Sequence, residues 1–132
     1  MSGFEVKKEV LKSERFPIGK VPVAPAVIVK PFVFVSGQGP WKTVNQDIRS
    51  QTREVLENIK AILEECGTSL ANVVQMTVYL SDMNNYNAMN EVFTEYMKDS
   101  PVARTCIQAV RIPRDVLVEV DAIAIIPCKT YK

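Results

Sequence analysis

The sequence predicts an α+β protein in which two helices cover one face of a mixed β-sheet. Apolar residues recur at helical spacing in two segments, whereas other segments alternate between apolar and polar residues or run apolar, as strands do. The predicted order is β-(ββ)-α-β-α-β-β. A chain of 132 residues with 47% hydrophobic content suits one globular domain with a modest core, spanning residues 1–132.

Three short strands are predicted before the first helix. Residues 4–11 alternate weakly and form the first, and the proline-broken stretch "SERFPIGKVPVAPA" that follows is a loop. Residues 27–29 and 32–36 are β-branched and aromatic runs on either side of "KP". They predict two strands joined by a tight turn.

Two amphipathic helices follow, each with recognisable start and stop residues. Asp47 is a suitable N-cap for the first helix and Gly67 a suitable stop. The second helix is capped by Ser81 or Asp82 and ends before Pro101. Its Met and Tyr residues at helical spacing are interpreted as core.

Strands are predicted between the helices and after the second helix. Residues 73–80 alternate between apolar and polar side chains, as a half-buried strand does. Residues 105–110 and 116–126 flank "RIPRD", which has a proline at its centre. The simplest prediction is that these last two strands form a β-hairpin.

Charged residues interrupt these last two strands. Side-chain alternation groups Arg104, Cys106 and Gln108 on one face of the first strand, and Glu119 and Asp121 on one face of the second. If the apolar faces of both strands contact the helices, all five residues share the opposite surface of the sheet. They could pair across the strands for stability alone, or they could form a site.

The same surface is predicted to carry Ile123 and Ile125, so it needs cover. Leaving apolar area in water forgoes roughly 25 cal/mol per Å², and the chain has no third helix to supply a second layer. Another subunit is the simplest cover. A site in a cleft between subunits would follow.

Several classes of chemistry are excluded by composition. The chain has no histidine, and Cys66, Cys106 and Cys128 are too widely spaced to resemble a zinc or redox motif. No glycine-rich nucleotide-binding motif occurs. The formal charge of +1 argues against nucleic acid as a partner, and no apolar stretch resembles a membrane span or signal peptide. We therefore expect a cytoplasmic protein without a metal.

The C-terminal segment "VARTCIQAVRIPRDVLVEVDAIAI" resembles the signature of the RidA/YjgF family, P-A-R-[ST]-x-V, then L-P, then V-E-[IV]-[DE]-A-I-A. Upstream, "FVSGQGP", "DIRSQTREVLENIKAIL" and "SLANVVQMTVYLSDMNNYNAMNEVF" resemble the same family in order and spacing. The resemblance covers residues 27–126.

This resemblance implies a chorismate-mutase-like fold of the AroH type, with a six-stranded mixed sheet and two helices on one face. It implies a homotrimer with small-molecule sites at the subunit interfaces. The activity it implies is hydrolysis of reactive imino and enamino acids to oxo acids and ammonia, with no cofactor and no metal.

Site residues are carried over from the family by position. Arg104 matches the arginine that binds the substrate carboxylate, and Glu119 matches the glutamate that positions the attacking water. The remaining matches line the pocket, and Asp121 is left as a structural partner at the interface. The pocket-lining matches are Ser36, Gly37, Asn90, Thr105 and Cys106.

The chain departs from the family pattern near the predicted pocket. Val23 stands where the family usually has a tyrosine, and Trp41 lies in a shortened loop. These departures predict an altered substrate preference. Two alternatives to the deaminase remain at this point: a trimer that binds small carboxylates or proteins without turnover, and an RNA-cleaving or translation-inhibiting family member.

Overall fold

Six strands form a single mixed sheet in the computed structural model, which describes residues 6–128. Across the sheet the strands run in the order β1-β2-β3-β6-β4-β5. The strands are β1 (Glu9–Val10), β2 (Ala26–Val29), β3 (Phe32–Gln38), β4 (Val73–Leu80), β5 (Ala103–Gln108) and β6 (Val118–Ile125). The first strand is shorter than predicted, and the start of its predicted range, residues 4 and 5, lies outside the described residues.

The two predicted helices are confirmed as α1 (Ile48–Glu65) and α2 (Tyr86–Met97). The predicted cap of the second helix is wrong, because Asp82 caps the short 3-10 turn Met83–Asn85 that precedes α2. The carboxylate of Asp47 accepts a hydrogen bond from the backbone N–H of Ser50 at 2.8 Å, which satisfies one free donor of the first turn of α1. Gly67 follows the helix with φ of +84°, a conformation that glycine adopts without a steric penalty. Among the described residues no helix is long and apolar enough to cross a membrane.

Both helices cover the same face of the sheet, and the core lies between them. In β6 burial alternates strictly, with Val118 fully buried and Glu119 partly exposed, as side-chain alternation predicts. The α+β class with two helices on one face is therefore confirmed. Large side chains that are fully buried include Leu56, Ile59, Ile62, Leu63, Met76, Leu80 and Met89.

The predicted hairpin between the last two strands is wrong. β5 pairs with β4 in parallel, with α2 as the crossover between them, and β6 lies antiparallel between β3 and β4. Burial explains this arrangement. β6 presents fully buried residues that need a neighbour on each side, whereas β5 is largely exposed and takes the edge of the sheet. The chain between β5 and β6 must therefore cross over β4, so that β6 can lie between β4 and β3.

The prediction that Arg104 and Glu119 share a face of the sheet is also wrong. Parallel pairing puts Arg104 opposite Met76, and Met76 is fully buried under the helices. Side chains opposite each other in a ladder share a face, so Arg104, Cys106 and Gln108 lie on the helix side. Glu119 pairs with the half-buried Tyr79 on the other side.

The face away from the helices, called the open face here, is partly apolar. Phe32 and Phe34 pair with Ile125 and Ile123 of β6, and the two phenylalanine rings lie 6.3 Å apart. Phe32 is 44% exposed and Phe34 is 42% exposed. No helix of the described residues covers this face, so the predicted lack of a second layer within one chain is confirmed for residues 6–128.

Candidate functional site

Arg104 is held by side chains of α2 at the edge of the sheet. Its Nη1 donates to Oδ1 of Asn90 at 2.7 Å, and its Nη2 donates to the hydroxyl of Tyr86 at 3.2 Å. The guanidinium carbon lies 4.7 Å from the ring centre of Phe93 and 5.7 Å from that of Tyr86. These contacts fix the planar group without neutralising it. We call Arg104, Asn90, Tyr86 and Phe93 the arginine cluster.

Arg104 forms no salt bridge with a carboxylate of residues 6–128; the ion pairs there involve other residues. The alternative that Arg104 only pairs with Glu119 or Asp121 across the sheet is therefore wrong within one protomer. The neutral partners of this half-buried arginine leave its positive charge unmatched. The guanidinium is therefore available to bind an anionic ligand. A guanidinium binds a carboxylate through two parallel hydrogen bonds.

Glu119 lies against the backbone of β3 on the open face. A Cβ added at Gly37 would come within 2.6 Å of Oε2 of Glu119, which is closer than real Cβ atoms approach. Gly37 lies within the register shift in β3, where pairing to β6 is interrupted between Val35 and Gln38. Only glycine at position 37 leaves room for the carboxylate in this position. We call Glu119, Gly37 and Ser36 the glutamate cluster.

The pKa of Glu119 is raised. Burial is the larger cause, because it removes water from the charged form, and the nearby carboxylate of Asp121 adds repulsion. Asp121 itself accepts a hydrogen bond from the hydroxyl of Tyr79 at 3.3 Å. A carboxylate with a raised pKa is a stronger base than an exposed one and can accept a proton from water.

Ser36 uses its hydroxyl in a hydrogen bond to the loop before β2. Its Oγ donates to the carbonyl oxygen of Ala24 at 2.5 Å, and its backbone N–H donates to the carbonyl oxygen of Pro25 at 3.0 Å. Both bonds tie the loop before β2 to β3. The hydroxyl proton is thereby committed, so Ser36 can offer only its oxygen lone pairs to a ligand.

Thr105 and Cys106 lie on opposite faces of β5. Cys106 is half-buried beside Arg104 on the helix side, and Thr105 is exposed on the open face opposite Thr77. Burial raises the pKa of the Cys106 thiol, and the charge of Arg104 only partly offsets this effect. The thiol is therefore protonated at neutral pH and is not an activated nucleophile.

The arginine cluster and the glutamate cluster do not meet within one protomer. Arg104 is level with Met76 and Ala122, and Glu119 lies three residues further along β6, two strands away from β5. With about 4.8 Å between strands and about 3.3 Å per residue, this places their Cα atoms about 14 Å apart, on opposite faces. A small imino acid cannot contact both in one chain.

Each cluster borders its own cavity. A cavity of about 310 Å³ lies beside Arg104 and Phe93, between the end of α2 and the start of β5. A second cavity of about 290 Å³ borders Ser36 and Gly37 under the N-terminal loop. Among residues 6–128 no group of three His, Cys, Asp or Glu side chains is close enough together to hold a metal ion.

Sequence reasoning missed several residues of these clusters. Tyr86 was interpreted as core and Phe93 was given no role, but both contact the Arg104 guanidinium. Arg114, which stands 5.5 Å over the ring of Trp41, was seen only as part of a turn. The signal that could have identified these residues is the position of α2 between two strands. A helix that connects parallel strands packs against them, so side chains of α2 must contact β5.

Comparison with known proteins agrees with this architecture. The family model described as Endoribonuclease L-PSP matches residues 17–126, most of the chain. The chain belongs to the RidA/YjgF family. It is 48% identical over 122 residues to a RutC family protein of Pyrococcus abyssi, covering 89% of this chain and 96% of that protein.

Other members of the RidA/YjgF family resemble the chain in sequence and structure. The Escherichia coli protein named "Putative reactive intermediate deaminase TdcF" is 33% identical over 125 residues, covering 89% of this chain and 97% of that protein. A crystal structure of TdcF with bound serine superposes with a TM-score of 0.80, covering 89% of this chain and 98% of that one. That protein therefore binds a small amino acid.

Proposed function

We propose that this chain hydrolyses imino acids to oxo acids and ammonia, with enamino acids as substrates after they tautomerise. In the reaction R–C(=NH)–COO⁻ + H₂O → R–CO–COO⁻ + NH₃, water adds to the imine carbon and the C–N bond breaks. The observation that carries the proposal is an arginine clamped by neutral side chains with no carboxylate partner in residues 6–128. The RidA/YjgF membership and the name of the TdcF relative support it.

Arg104 binds the substrate carboxylate in this proposal. Asn90 and Tyr86 take two of its donors, and the stack on Phe93 fixes the plane of the guanidinium. The remaining N–H groups are available for the two oxygens of a carboxylate. Backbone groups of Thr105 and Cys106, adjacent on β5, can bond the imine nitrogen.

The complete site requires two protomers. Because Arg104 and Glu119 are about 14 Å apart on opposite faces, one substrate can contact both only if they come from different chains. Arg104 of one protomer, at the exposed edge of its sheet, therefore faces Glu119 of its neighbour. In the homotrimer that the family resemblance implies, three such sites form by symmetry.

The open face supports this assembly. It presents an apolar patch in which Phe32 and Phe34 are more than 40% exposed and lie beside Ile123 and Ile125. Burying such a patch is favourable by roughly 25 cal/mol per Å². Burial against neighbouring sheets would also remove more water from Glu119, which lies on the same face, and would raise the basicity of its carboxylate further.

Glu119 acts on the attacking water. Its carboxylate, held against Gly37, accepts a proton as the water oxygen adds to the imine carbon, and the nitrogen receives a proton to leave as ammonia. Proximity supplies a large part of the rate gain, because it replaces a chance encounter with a positioned one. Cys106 needs no covalent role, since its thiol is protonated.

The two alternatives give these residues different roles. A trimer that only binds carboxylates would need Arg104 but would not need a carboxylate with a raised pKa beside the site. An RNA-cleaving protein would need to bind phosphates, and the formal charge of +1 with 16 basic and 15 acidic residues offers no basic surface excess. The deaminase accounts for both clusters.

Complementation between two inactive variants tests the proposal. Arg104→Ala and Glu119→Ala are each expected to reduce deamination of the alanine-derived imino acid to the buffer rate. Co-expressed with different tags and purified through both, mixed assemblies contain some sites that join the intact Arg104 of one chain to the intact Glu119 of the other. In each mixed trimer one of the three sites is restored, so activity should return to about a third of the wild-type value.

Three outcomes separate the possibilities. Restored activity in mixed assemblies supports the composite site. Activity that stays at the buffer rate in mixed assemblies of folded protein contradicts it. Wild-type protein that binds a small oxo acid yet releases ammonia no faster than buffer would overturn the deaminase and favour the binding protein.

A further inference from the structure

The cavity beside the glutamate cluster is larger and more apolar than a three-carbon imino acid requires. It measures about 290 Å³. Gly37 lines this cavity, and the carboxylate of Glu119 lies against the same glycine. Much of its wall is apolar or aromatic, with Phe16, Pro17, Val23, Pro25 and Trp41 among the lining residues.

Trp41 forms a wall of this cavity because Gly39 lets it fold back. The indole lies so close to Gly39 that a Cβ at that position would overlap the ring. No side chain larger than hydrogen at position 39 is compatible with this indole position. The sequence "GQGPW" therefore places an aromatic surface just after the end of β3, three residues beyond the register shift that contains Gly37.

A strained turn supports the same indole. Arg114 and Asp115 have φ of 62° and 54°, the left-handed region that non-glycine residues rarely adopt. Two hydrogen bonds from the Arg111 guanidinium to Asp115, at 2.9 and 3.0 Å, help hold the turn. The turn carries the Arg114 guanidinium 5.5 Å over the Trp41 ring. Strained residues persist where surrounding contacts hold them, and they are common at functional sites.

Phe16, the second aromatic residue that lines the cavity, also lies beside an arginine. The Arg15 guanidinium lies 5.2 Å from the ring centre of Phe16. Both arginines are thereby engaged over aromatic rings. The cavity lining also contains the exposed, apolar Val23 and the polar side chains of Ser36 and Gln38.

We propose that this cavity is a side-chain subsite, walled by Trp41, that selects imino acids with large apolar side chains. The inference rests on the proposed deamination and specifies its substrate class. With the imine carbon beside Glu119, a methyl group would leave most of the cavity to water. A branched four-carbon side chain would bury apolar surface against the indole, and such burial contributes about 0.8 kcal/mol per CH₂ group. Trp41 is a specificity-determining residue rather than a catalytic residue.

Turnover with matched substrates tests the subsite. Imino acids are generated in place by amino-acid oxidases from alanine, leucine and glutamate, and deamination above the buffer rate is measured. The wild-type protein is expected to prefer the leucine-derived imino acid in kcat/KM by about tenfold or more over the alanine-derived one. Trp41→Ala is expected to remove this preference, so that kcat/KM for the leucine-derived imino acid falls to about that for the alanine-derived one.

Two further variants keep the test independent of folding effects. Gly39→Ala displaces the indole without removing it and is expected to reduce the preference as well. Val110→Ala, at a side chain that is 99% exposed, is the matched control and should behave as wild type. Thermal melting of each variant shows whether it is folded at the assay temperature.

Tryptophan fluorescence gives a readout that does not need turnover. Trp41 is the only tryptophan of the chain, so its emission reports directly on occupancy of the subsite. The leucine-derived oxo acid, a stable product, is expected to shift or quench this emission with a lower Kd than the alanine-derived oxo acid. Arg114→Gly removes the guanidinium and relieves the left-handed strain, and it is expected to weaken that shift.

The outcomes distinguish the subsite from the proposed function. If no imino acid is turned over but the leucine-derived oxo acid binds at Trp41, the deaminase fails and the subsite stands. If the alanine-derived or glutamate-derived imino acid is preferred, or if folded Trp41→Ala keeps the wild-type preference, the subsite is wrong while the deaminase stands.

Discussion

Arg104 and Glu119 lie on opposite faces of the same sheet, with β4 between their strands. Arg104 is level with Met76 on the helix side, whereas Glu119 is level with Tyr79 on the open face. Within a protomer Arg104 lines one cavity, whereas Glu119 lies against Gly37, which lines another. Any reaction that uses both therefore depends on assembly, and the following predictions test each half separately.

Replacing Arg104 by lysine should weaken substrate binding while keeping the positive charge. An ammonium cannot present the planar pair of donors that a carboxylate accepts, and it loses the stack on Phe93. We expect KM for the alanine-derived imino acid to rise about ten- to a hundredfold. Arg53→Lys, at an exposed arginine paired with Glu95 at 2.6 Å, is the control and should leave KM unchanged. Equal KM values in the two variants would show that Arg104 does not bind the substrate.

Replacing Glu119 by glutamine should lower kcat by about a hundredfold or more, because an amide cannot accept a proton from water. For the wild-type protein, kcat/KM should fall as the pH drops through the raised pKa of Glu119, which lies above the usual range of glutamate. The pH profile of the glutamine variant should lack this step. A step of the same position in both variants would assign the titration to another group.

Glu119→Gln should also stabilise the folded protein at neutral pH. The folded state holds the Glu119 proton more tightly than the unfolded chain does, so ionisation of Glu119 opposes folding. This penalty is absent below the pKa of the unfolded state and complete above the raised pKa of the folded state. The Tm of Glu119→Gln should therefore match wild type at about pH 4 and exceed it increasingly toward about pH 7. A Tm difference that shrinks with rising pH would contradict the raised pKa.

Gly37→Ala should displace the Glu119 carboxylate. The new Cβ would come within 2.6 Å of Oε2, so the side chain must move to accept it. A shift of about 1 Å in a group that positions water is expected to lower kcat on the order of tenfold to a hundredfold. Gly19→Ala is the matched control, because a Cβ at that position meets nothing within 4 Å. Comparable kcat values for both alanine variants would show that the Gly37 contact has no catalytic effect.

Cys106→Ala should retain turnover close to that of the wild type, since the thiol is protonated and only backbone groups of Cys106 are proposed to contact substrate. Alkylation at neutral pH, followed by peptide mass mapping, should modify the exposed Cys128 before the half-buried Cys106 and the buried Cys66. Loss of turnover in a folded Cys106→Ala protein would indicate a direct role for the sulfur.

Phe34→Asp should break the assembly by placing a charge in the apolar patch of the open face. Phe34 is 42% exposed in the protomer, so the substitution should be tolerated before association and costly after it. Sedimentation velocity should show trimers for the wild type and monomers for the variant, and deamination should be lost with the trimers. Val110→Asp changes a 99% exposed apolar residue and should stay trimeric. A monomeric wild type would contradict the composite site.

Features that depend on neighbouring residues in the chain were predicted correctly from the sequence. Helix α1 begins after Asp47, as the capping side chain predicted, and the two faces of β6 follow from alternation alone. The order of strands was not accessible in this way. The "RIPRD" turn suggested a hairpin, yet burial of β6 on both sides and exposure of β5 decide the pairing, and both depend on the whole sheet.

The sequence by itself determined the family, the two-helix α+β fold and the candidate residues of the site. Only the tertiary structure decided which of them meet. A strand exposes alternate residues to opposite faces, so a change of pairing partner moves Arg104 from the face of Glu119 to the face of α2. That single change puts the two candidate residues out of reach of one small substrate within a protomer.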